Sequence, residues 1–500
     1  MFLRILGLLM SLMMALLPAL GLAETTFTMA GFDGEDSTRD WTTNGFFTRM
    51  EARTGVNFTF QQYNAREKWQ AAKNAMFADG AEMPDVLFKA ALTTDELIRY
   101  TDSGKLIDLL PLLEENAPNL WAILQEHPDW LKAITLPNGK VGALPAIQEL
   151  PPQNVMWINT NWLQELKLEM PTDMESLRKV LTAFRDRDPN LNGKKDEIPM
   201  LFMGPWELKF FSHAWGVVAN DYNIYLDDAG KVQYWPQEDS FFAMAETLRG
   251  MFADGLLDPD GFITADSMRR ITKNDAEITY GAFFAPSPVA LLSYTEGAEN
   301  YSVMGPFEFE GKQIYRDLIG NINRGTFAIT SACEDPAALL KWVDVLYTED
   351  GAIAAMAGEE NENYYFREDG TWDWVGGAEG LGIAGLNELT IYDTGDMPWM
   401  FPLDFNNRYL ENTVGRMNNE LAKLNGFAVQ PFPTYTLTNE ETAYVGQLQM
   451  KLGRYVDETL ARMVLGEVPI NEETKAEFMN GLEERGVNDM IAFWQEIATR

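Results

Sequence analysis

Alternation of strand and helix signals over residues 25–88 constrains this chain more than any other feature. Residues 25–29 and 56–60 interleave β-branched or aromatic side chains with polar ones and sit beside Gly31 and Gly55, the pattern of short strands. Between them Phe46, Phe47 and Met50 share one helical face ahead of Arg53 and Gly55, which read as a last turn and its closing glycine. Residues 67–77 have helical spacing, and 83–88 (Met83-Pro84-Asp85-Val86-Leu87-Phe88) read as a buried strand. Such alternation builds βαβ units on a mostly parallel sheet. A Pro/Gly-rich stretch, 137–152, interrupts it, and a second α/β unit starts at 155–158, so a lobe crossover is expected near residue 150. The chain of 500 residues is 46% hydrophobic, enough for two or three domains of roughly 100–200 residues each.

Helix signals continue downstream. Thr172 and Glu175 have capping-box spacing ahead of Met174, Leu177, Leu181 and Phe184. Ser240 is placed to cap a run through Phe241, Met244, Ala245, Leu248 and Phe252, and Asp335-Pro336 opens another. The last 60 residues read as helical throughout, and no fixed-period repeat is present.

At the N-terminus Arg4 precedes an apolar run from Ile5 to Leu20, and Gly21-Leu22-Ala23 offers small residues to a signal peptidase. The run breaks at Pro18 and polar Glu24-Thr25-Thr26 follows, so residues 1–23 are expected to be a cleaved signal peptide rather than an anchor. The expected protein is exported, periplasmic or extracellular, and soluble. No cysteine lies near the cleavage site to carry a lipid anchor. Cys333, the single cysteine, rules out an intrachain disulfide, and with only His127 and His213 most zinc chemistry and a Ser-His-Asp triad are poor fits. The 39 Lys+Arg against 75 Asp+Glu give a net charge of −36, which argues against nucleic acid as a partner and against anionic membrane surfaces.

The chemistry-bearing motif is Asp188-Pro189-Asn190-Leu191-Asn192-Gly193-Lys194-Lys195-Asp196-Glu197. Side-chain oxygens fall at relative positions 1, 3, 5, 9 and 10, Gly193 permits the sharp turn, and Lys194 can offer its carbonyl. Hard oxygens on a tight loop suit a structural Ca²⁺. Position 12 of the EF-hand pattern, normally a bidentate Glu, is Pro199, so Asp196 and Glu197 must complete the shell. Asp, Asn and Gly also form such turns without a metal.

The run Asn161-Trp162-Leu163-Gln164-Glu165-Leu166, then Pro171-Thr172, then 184–199 through this loop resembles the signature region of extracellular solute-binding proteins of carbohydrate ABC importers. It is most similar to the long branch that contains alginate-binding proteins and lipoproteins of like length. Met83-Pro84-Asp85-Val86, Gly104-Lys105-Leu106-Ile107-Asp108-Leu109, Gly255-Leu256-Leu257-Asp258-Pro259 and Lys341-Trp342-Val343-Asp344 follow in the same order. The resemblance implies a type II periplasmic-binding-protein fold: two α/β lobes joined by hinge strands and closing on a sugar. It implies calcium ligands at Asp188, Asn190, Asn192, the Lys194 carbonyl, Asp196 and Glu197, permease transmembrane subunits as partners, a monomer, and no catalysis. The expected division is lobe 1 over 24–148 and 321–375, and lobe 2 over 149–320 and 376–500.

Sugars are held by aromatic rings on their C–H faces and by amides and carboxylates on their hydroxyls. Of 14 tryptophans, Trp342 and Trp494 lie on apolar helix faces and read as core. Trp41, Trp206 and Trp399 sit in polar or Gly/Pro-rich loops and are the candidate ligand residues, with Phe284 beside them. The acidic balance favours a neutral oligosaccharide over alginate. A peptide or other small solute on the same scaffold is the alternative. A secreted glycoside hydrolase would need two carboxylates set across a cleft, and no hydrolase signature is present.

Overall fold

Apolar side chains on alternating strands and helix faces collect here into separate cores. The computed structural model describes residues 25–149, 154–263, 279–292, 295–316, 321–377, 385–391, 396–409 and 413–500. The signal-peptide reading of 1–23 and the proline pair at the expected crossover lie outside the described residues. In chain order the strands used below are β1 (Thr25–Phe32), β2 (Val56–Tyr63), β3 (Val86–Phe88), β4 (Leu144–Gln148), β5 (Val155–Asn159), β6 (Ile198–Leu201), β7 (Tyr280–Ala285), β8 (Tyr301–Val303), β9 (Tyr315–Arg316), β10 (Asn321–Ile329) and β11 (Ala428–Val429).

The first sheet has the order β2-β1-β3-β10-β4 and the second β8-β5-β7-β6. β1 lies parallel to β2 and to β3, as the βαβ reading expects. The sheets are nevertheless mixed rather than mostly parallel. β10 enters the first sheet antiparallel to both β3 and β4, with a register shift between Asn323 and Phe327. In the second sheet β5 runs antiparallel to β7 and β8, and only β6 and β7 are parallel. A chain that leaves one lobe and comes back brings in its return strand from the opposite direction, which short-range periodicity does not reveal.

Helix ends follow local chemistry. α1 (Gly45–Thr54) is capped by Asn44, whose side chain accepts from Phe46 N at 2.9 Å, and closes at Gly55, in the left-handed region at φ 72°. α2 (Met174–Asp186) starts one residue later than the Thr172–Glu175 reading: Asp173 and Ser176 form the capping box, and Ser176 N donates to Asp173 Oδ1 at 2.7 Å. A carboxylate outcompetes the neighbouring hydroxyl for that role. Ser240 lies inside α3 (Asp239–Ala253) rather than capping it, because its Oγ accepts the Trp235 indole N–H at 3.0 Å. Asp335 caps α4 (Pro336–Asp344) with Pro336 in the first position. α5 (Asn439–Val464), α6 (Glu472–Glu484) and α7 (Val487–Ala498) make the last 60 residues helical, as expected.

One core gathers Met29, Phe47, Phe88, Ile147, Phe327 and Trp342 around the first sheet. Another gathers Ile158, Phe184, Met200, Leu248, Leu452 and Trp494 behind the second. Trp342 is fully buried and Trp494 nearly so, as their helix faces require. Ile391, Met397, Trp399 and Phe405 pack into the first core, so that lobe keeps its chain beyond residue 375 and past the expected boundary.

Candidate functional site

Pro205 starts a one-turn helix, Pro205–Leu208, that runs into the 3-10 segment Lys209–Trp215. Trp206 and Phe210, four residues apart, therefore share a face, and their rings meet edge to face at 5.8 Å. Trp206 remains 41% exposed. Gly204 makes room for it, since a Cβ there would lie 2.8 Å from indole atoms Cδ1 and Nε1. Phe284, buried on β7, supports the cluster from behind, edge to face with Phe210 at 5.6 Å and Phe211 at 5.1 Å.

Trp206 and Phe210 line a cavity of about 290 Å³, at the small end of ligand pockets. Two ion pairs border it. Arg316 Nη1 donates to Asp221 Oδ1 at 2.8 Å, and Lys209 Nζ lies 3.0 Å from Asp457 Oδ1 on α5. The Arg316 guanidinium also sits over the Phe210 ring at 5.4 Å. The parallel pairing of β9 with β11 sets Arg316 opposite Val429. Gln449 of α5 donates to the Asp221 carbonyl at 2.8 Å, which ties the loop to the helix.

His213 lies in the same wall. Its Nδ1 is 2.8 Å from the Phe210 carbonyl, which assigns the hydrogen to Nδ1, and burial pushes the imidazole down to about 4. It is neutral near pH 7 and serves the wall, not proton transfer. Burial likewise pushes the Tyr315 hydroxyl above its ordinary range, so it stays protonated.

The other two tryptophan candidates sit elsewhere. Trp41 is 1% exposed, packed against Phe47, Phe60 and Phe88 at 5.6–5.8 Å between centroids. Trp399 is 2% exposed, and its carbonyl accepts from Ile147 N at 2.8 Å. Both are first-core residues that present no ring face to a solute. Their polar neighbours suggested exposure, but a loop can fold a tryptophan inward wherever a sheet end leaves a gap. Gly31 makes that gap: a Cβ on it would meet the Phe88 carbonyl and the Trp41 ring. Sequence reasoning missed Lys209, Asp221, Arg316, Gln449 and Asp457. The spacing of Trp206 and Phe210 was the one local signal leading toward them.

The loop 188–197 is a set of tight turns with Asp188, Leu191 and Gly193 in the left-handed region at φ 45°, 58° and 72°. Asp188 accepts from Asn192 N at 3.1 Å and Gly193 N at 3.0 Å, Asn192 Oδ1 from Lys194 N at 2.8 Å, and Asp196 Oδ1 from the Asn192 amide at 3.1 Å. In this arrangement no three His, Cys, Asp or Glu side chains among the described residues are grouped to hold a metal. Glu197 Oε1 is nevertheless buried without a hydrogen-bond partner. Burial, followed by the charges of Asp196 and Asp188, pushes its carboxyl above the usual range. A buried carboxylate oxygen without a partner, feeling the charges of two further carboxylates, is chemistry a hard cation would satisfy, and the three side chains would have to draw together to hold one.

No protein-family model matches the chain. It is 29% identical over 314 residues to the fructooligosaccharide ABC transporter substrate-binding protein FusA of Streptococcus pneumoniae serotype 4 (strain ATCC BAA-334 / TIGR4), covering 60% of this chain. The matched part spans 56% of that relative's length. The structure of FusA in complex with kestose superposes with a TM-score of 0.60 and 21% identity, over 95% of this chain and 99% of that one. FusA has also been solved as an EF-hand mutant with fructo-nystose. An extracellular solute-binding protein of Bifidobacterium longum subsp. infantis gives a TM-score of 0.68 at 19% identity over 95% and 98% of the two chains. The alginate-binding protein AlgQ2 without calcium ion gives 0.57 at 19% over 96% and 99%. These likenesses establish the two-lobe fold of solute-binding proteins. No helix among the described residues is long and apolar enough to cross a membrane.

Proposed function

We propose that this chain is the substrate-binding subunit of an ABC importer: exported, without enzymatic activity, it captures a neutral oligosaccharide and delivers it to permease transmembrane subunits. The observation that carries this reading is the half-exposed Trp206 ring over a small cavity bordered by two ion pairs, on a fold shared with carbohydrate-binding relatives. The indole offers a flat apolar face to sugar C–H groups. Asp221, with most of its side chain exposed, can accept from hydroxyls, and the Arg316 guanidinium can donate to them. Around 290 Å³ holds on the order of one or two sugar rings, and the remainder of a longer chain extends outside. The cavity lies within the second lobe rather than between the two, so coupling to closure rests on the part of a longer sugar that extends outside it. A ligand that touches both lobes binds their closed arrangement more tightly and shifts the protein toward it, the state a permease can read.

We further propose a structural Ca²⁺ at 188–197, held by Asp188, Asn190, Asn192, the Lys194 carbonyl, Asp196 and Glu197. The unpartnered Glu197 oxygen supports this, as do the EF-hand of FusA and the calcium named for AlgQ2. The ion supplies positive charge to three carboxylates and stiffens the turn ahead of β6.

The test is thermal unfolding of the chain from Glu24, calcium-loaded and chelated, with neutral and acidic oligosaccharides and product analysis. A sugar that binds only the folded state at a hundredfold excess over its Kd adds about 2.7 kcal/mol. The expected result is a higher Tm with a neutral sugar recovered intact, and a lower Tm on chelation. Cleaved sugar, or a shift with peptides only, would overturn the importer-of-sugars reading. Indifference to chelation would return 188–197 to a plain turn.

A further inference from the structure

We infer that Asp221 sets the ligand class of the pocket: by holding Arg316 in an ion pair at the rim, it admits neutral sugars and turns away anionic ones such as uronates. The inference rests on the sugar-binding reading above. Among the described residues, the charged groups that line the cavity are Lys209, Arg316, Asp221 and Asp457. They pair as Arg316–Asp221 at 2.8 Å and Lys209–Asp457 at 3.0 Å, so the lining has no net charge. The two halves of the first pair are unequally placed. The Arg316 side chain is 14% exposed, covered by the Phe210 ring and bonded to the Ala219 carbonyl at 3.4 Å, whereas that of Asp221 is 78% exposed. The guanidinium is thus a fixed part of the wall, and the carboxylate is what an incoming solute meets. A uronate finds this cation already occupied and a carboxylate in front of it, and that repulsion is a selection against the wrong ligand.

The arrangement also says what removing the carboxylate would do. Arg316 would keep its place, through β9–β11 pairing and Phe210, and would present a planar fork of N–H donors to the cavity, the geometry that binds carboxylates. The loop survives the change because Gln449 grips the Asp221 backbone carbonyl rather than the side chain.

The experiment is calorimetric titration of the chain from Glu24 with a panel of neutral tri- to pentasaccharides that includes kestose and maltotriose, and with trigalacturonate. The wild type is expected to bind a neutral sugar and to bind trigalacturonate at least about tenfold more weakly. Asp221→Asn is expected to gain about tenfold or more for trigalacturonate, the scale of one hydrogen bond to a charged group, while the neutral sugar, left with an amide oxygen in place of a charged acceptor, binds no more tightly than before, so the ratio between the two falls about tenfold or more. Adding Arg316→Gln to it should erase the gain, and the apo Tm of both variants reports that they fold. An unchanged ratio in folded Asp221→Asn, or a wild type that prefers trigalacturonate, overturns the role of Asp221 while leaving sugar binding in place. A wild type that binds no neutral sugar overturns both.

Discussion

Replacing Trp206 and Trp41 by alanine should have opposite consequences, and the contrast tests the assignment of one to the pocket and the other to the core. A buried indole accounts for up to about 250 Å² of surface, so the 41% of Trp206 left exposed is about 100 Å². A sugar face covering half of that removes about 50 Å² of apolar area, which at about 25 cal/mol per Å² is about 1.3 kcal/mol, or roughly ninefold in Kd. Little stability goes with it, since among the described residues the ring's one aromatic contact is the edge-on approach to Phe210. Trp41 is 1% exposed, and its truncation leaves a cavity costing about 3–5 kcal/mol in the first lobe. Titration calorimetry against the sugar that raises the wild-type Tm should therefore show Trp206→Ala weakened about tenfold with a near-native Tm. Trp41→Ala should show a lowered Tm with near-native affinity in its folded fraction. Gly204→Ala is an independent check, because its methyl group would displace the indole while its extended backbone at φ −179° tolerates alanine. Wild-type affinity in both Trp206→Ala and Gly204→Ala would refute the pocket assignment.

Two further outcomes follow from local chemistry. Burial holds the His213 imidazole at about 4 in the folded protein against 6.5 unfolded, so between those values the unfolded chain binds the extra proton; the stability from this group is complete above pH 6.5 and falls as pH drops toward 4. At pH 5 the loss is about 2 kcal/mol, and His213→Gln should flatten that part of the Tm-against-pH curve; parallel curves would contradict the neutral buried ring. At the start of α2, Asp173→Ala should speed amide exchange in the first turn about fivefold, the equivalent of a lost cap of about 1 kcal/mol, whereas Thr172→Ala should leave it alone.

The alternating strands and helices of the first ninety residues, the closing glycine Gly55, the opening at Asp335-Pro336 and the helical C-terminus were legible because each rests on spacing within a few residues. The direction of β10 was not, since its partners β3 and β4 lie more than 170 residues earlier in the chain. The same limit governs the pocket. Trp206 could be singled out from its Gly-Pro setting, but Asp221 and Arg316 meet across 95 residues and Gln449 reaches Asp221 across 228. Burial also separated look-alikes: Trp41 and Trp206 both stand among polar or turn-forming neighbours, and only packing distinguishes them.

The net charge of −36 and the neutral pocket answer different questions. Excess acid over the whole surface acts at a distance, slows the approach of polyanions, and fades within about a Debye length, roughly 8 Å at physiological salt. Selection happens inside that distance, where two ion pairs border one cavity and the exposed member of one is a carboxylate. Chain connectivity links this pocket to the loop proposed to hold calcium. Residues 188–197 lead directly into β6, β6 pairs with β7 next to Phe284, and the chain leaving β6 reaches Gly204 and Trp206 within five residues. A cation bound at 188–197 would therefore act on the strand that aims the indole, which is a physical reason for the proposed ion and the proposed sugar platform to share one lobe while Trp41 and Trp399 stay in the core of the first.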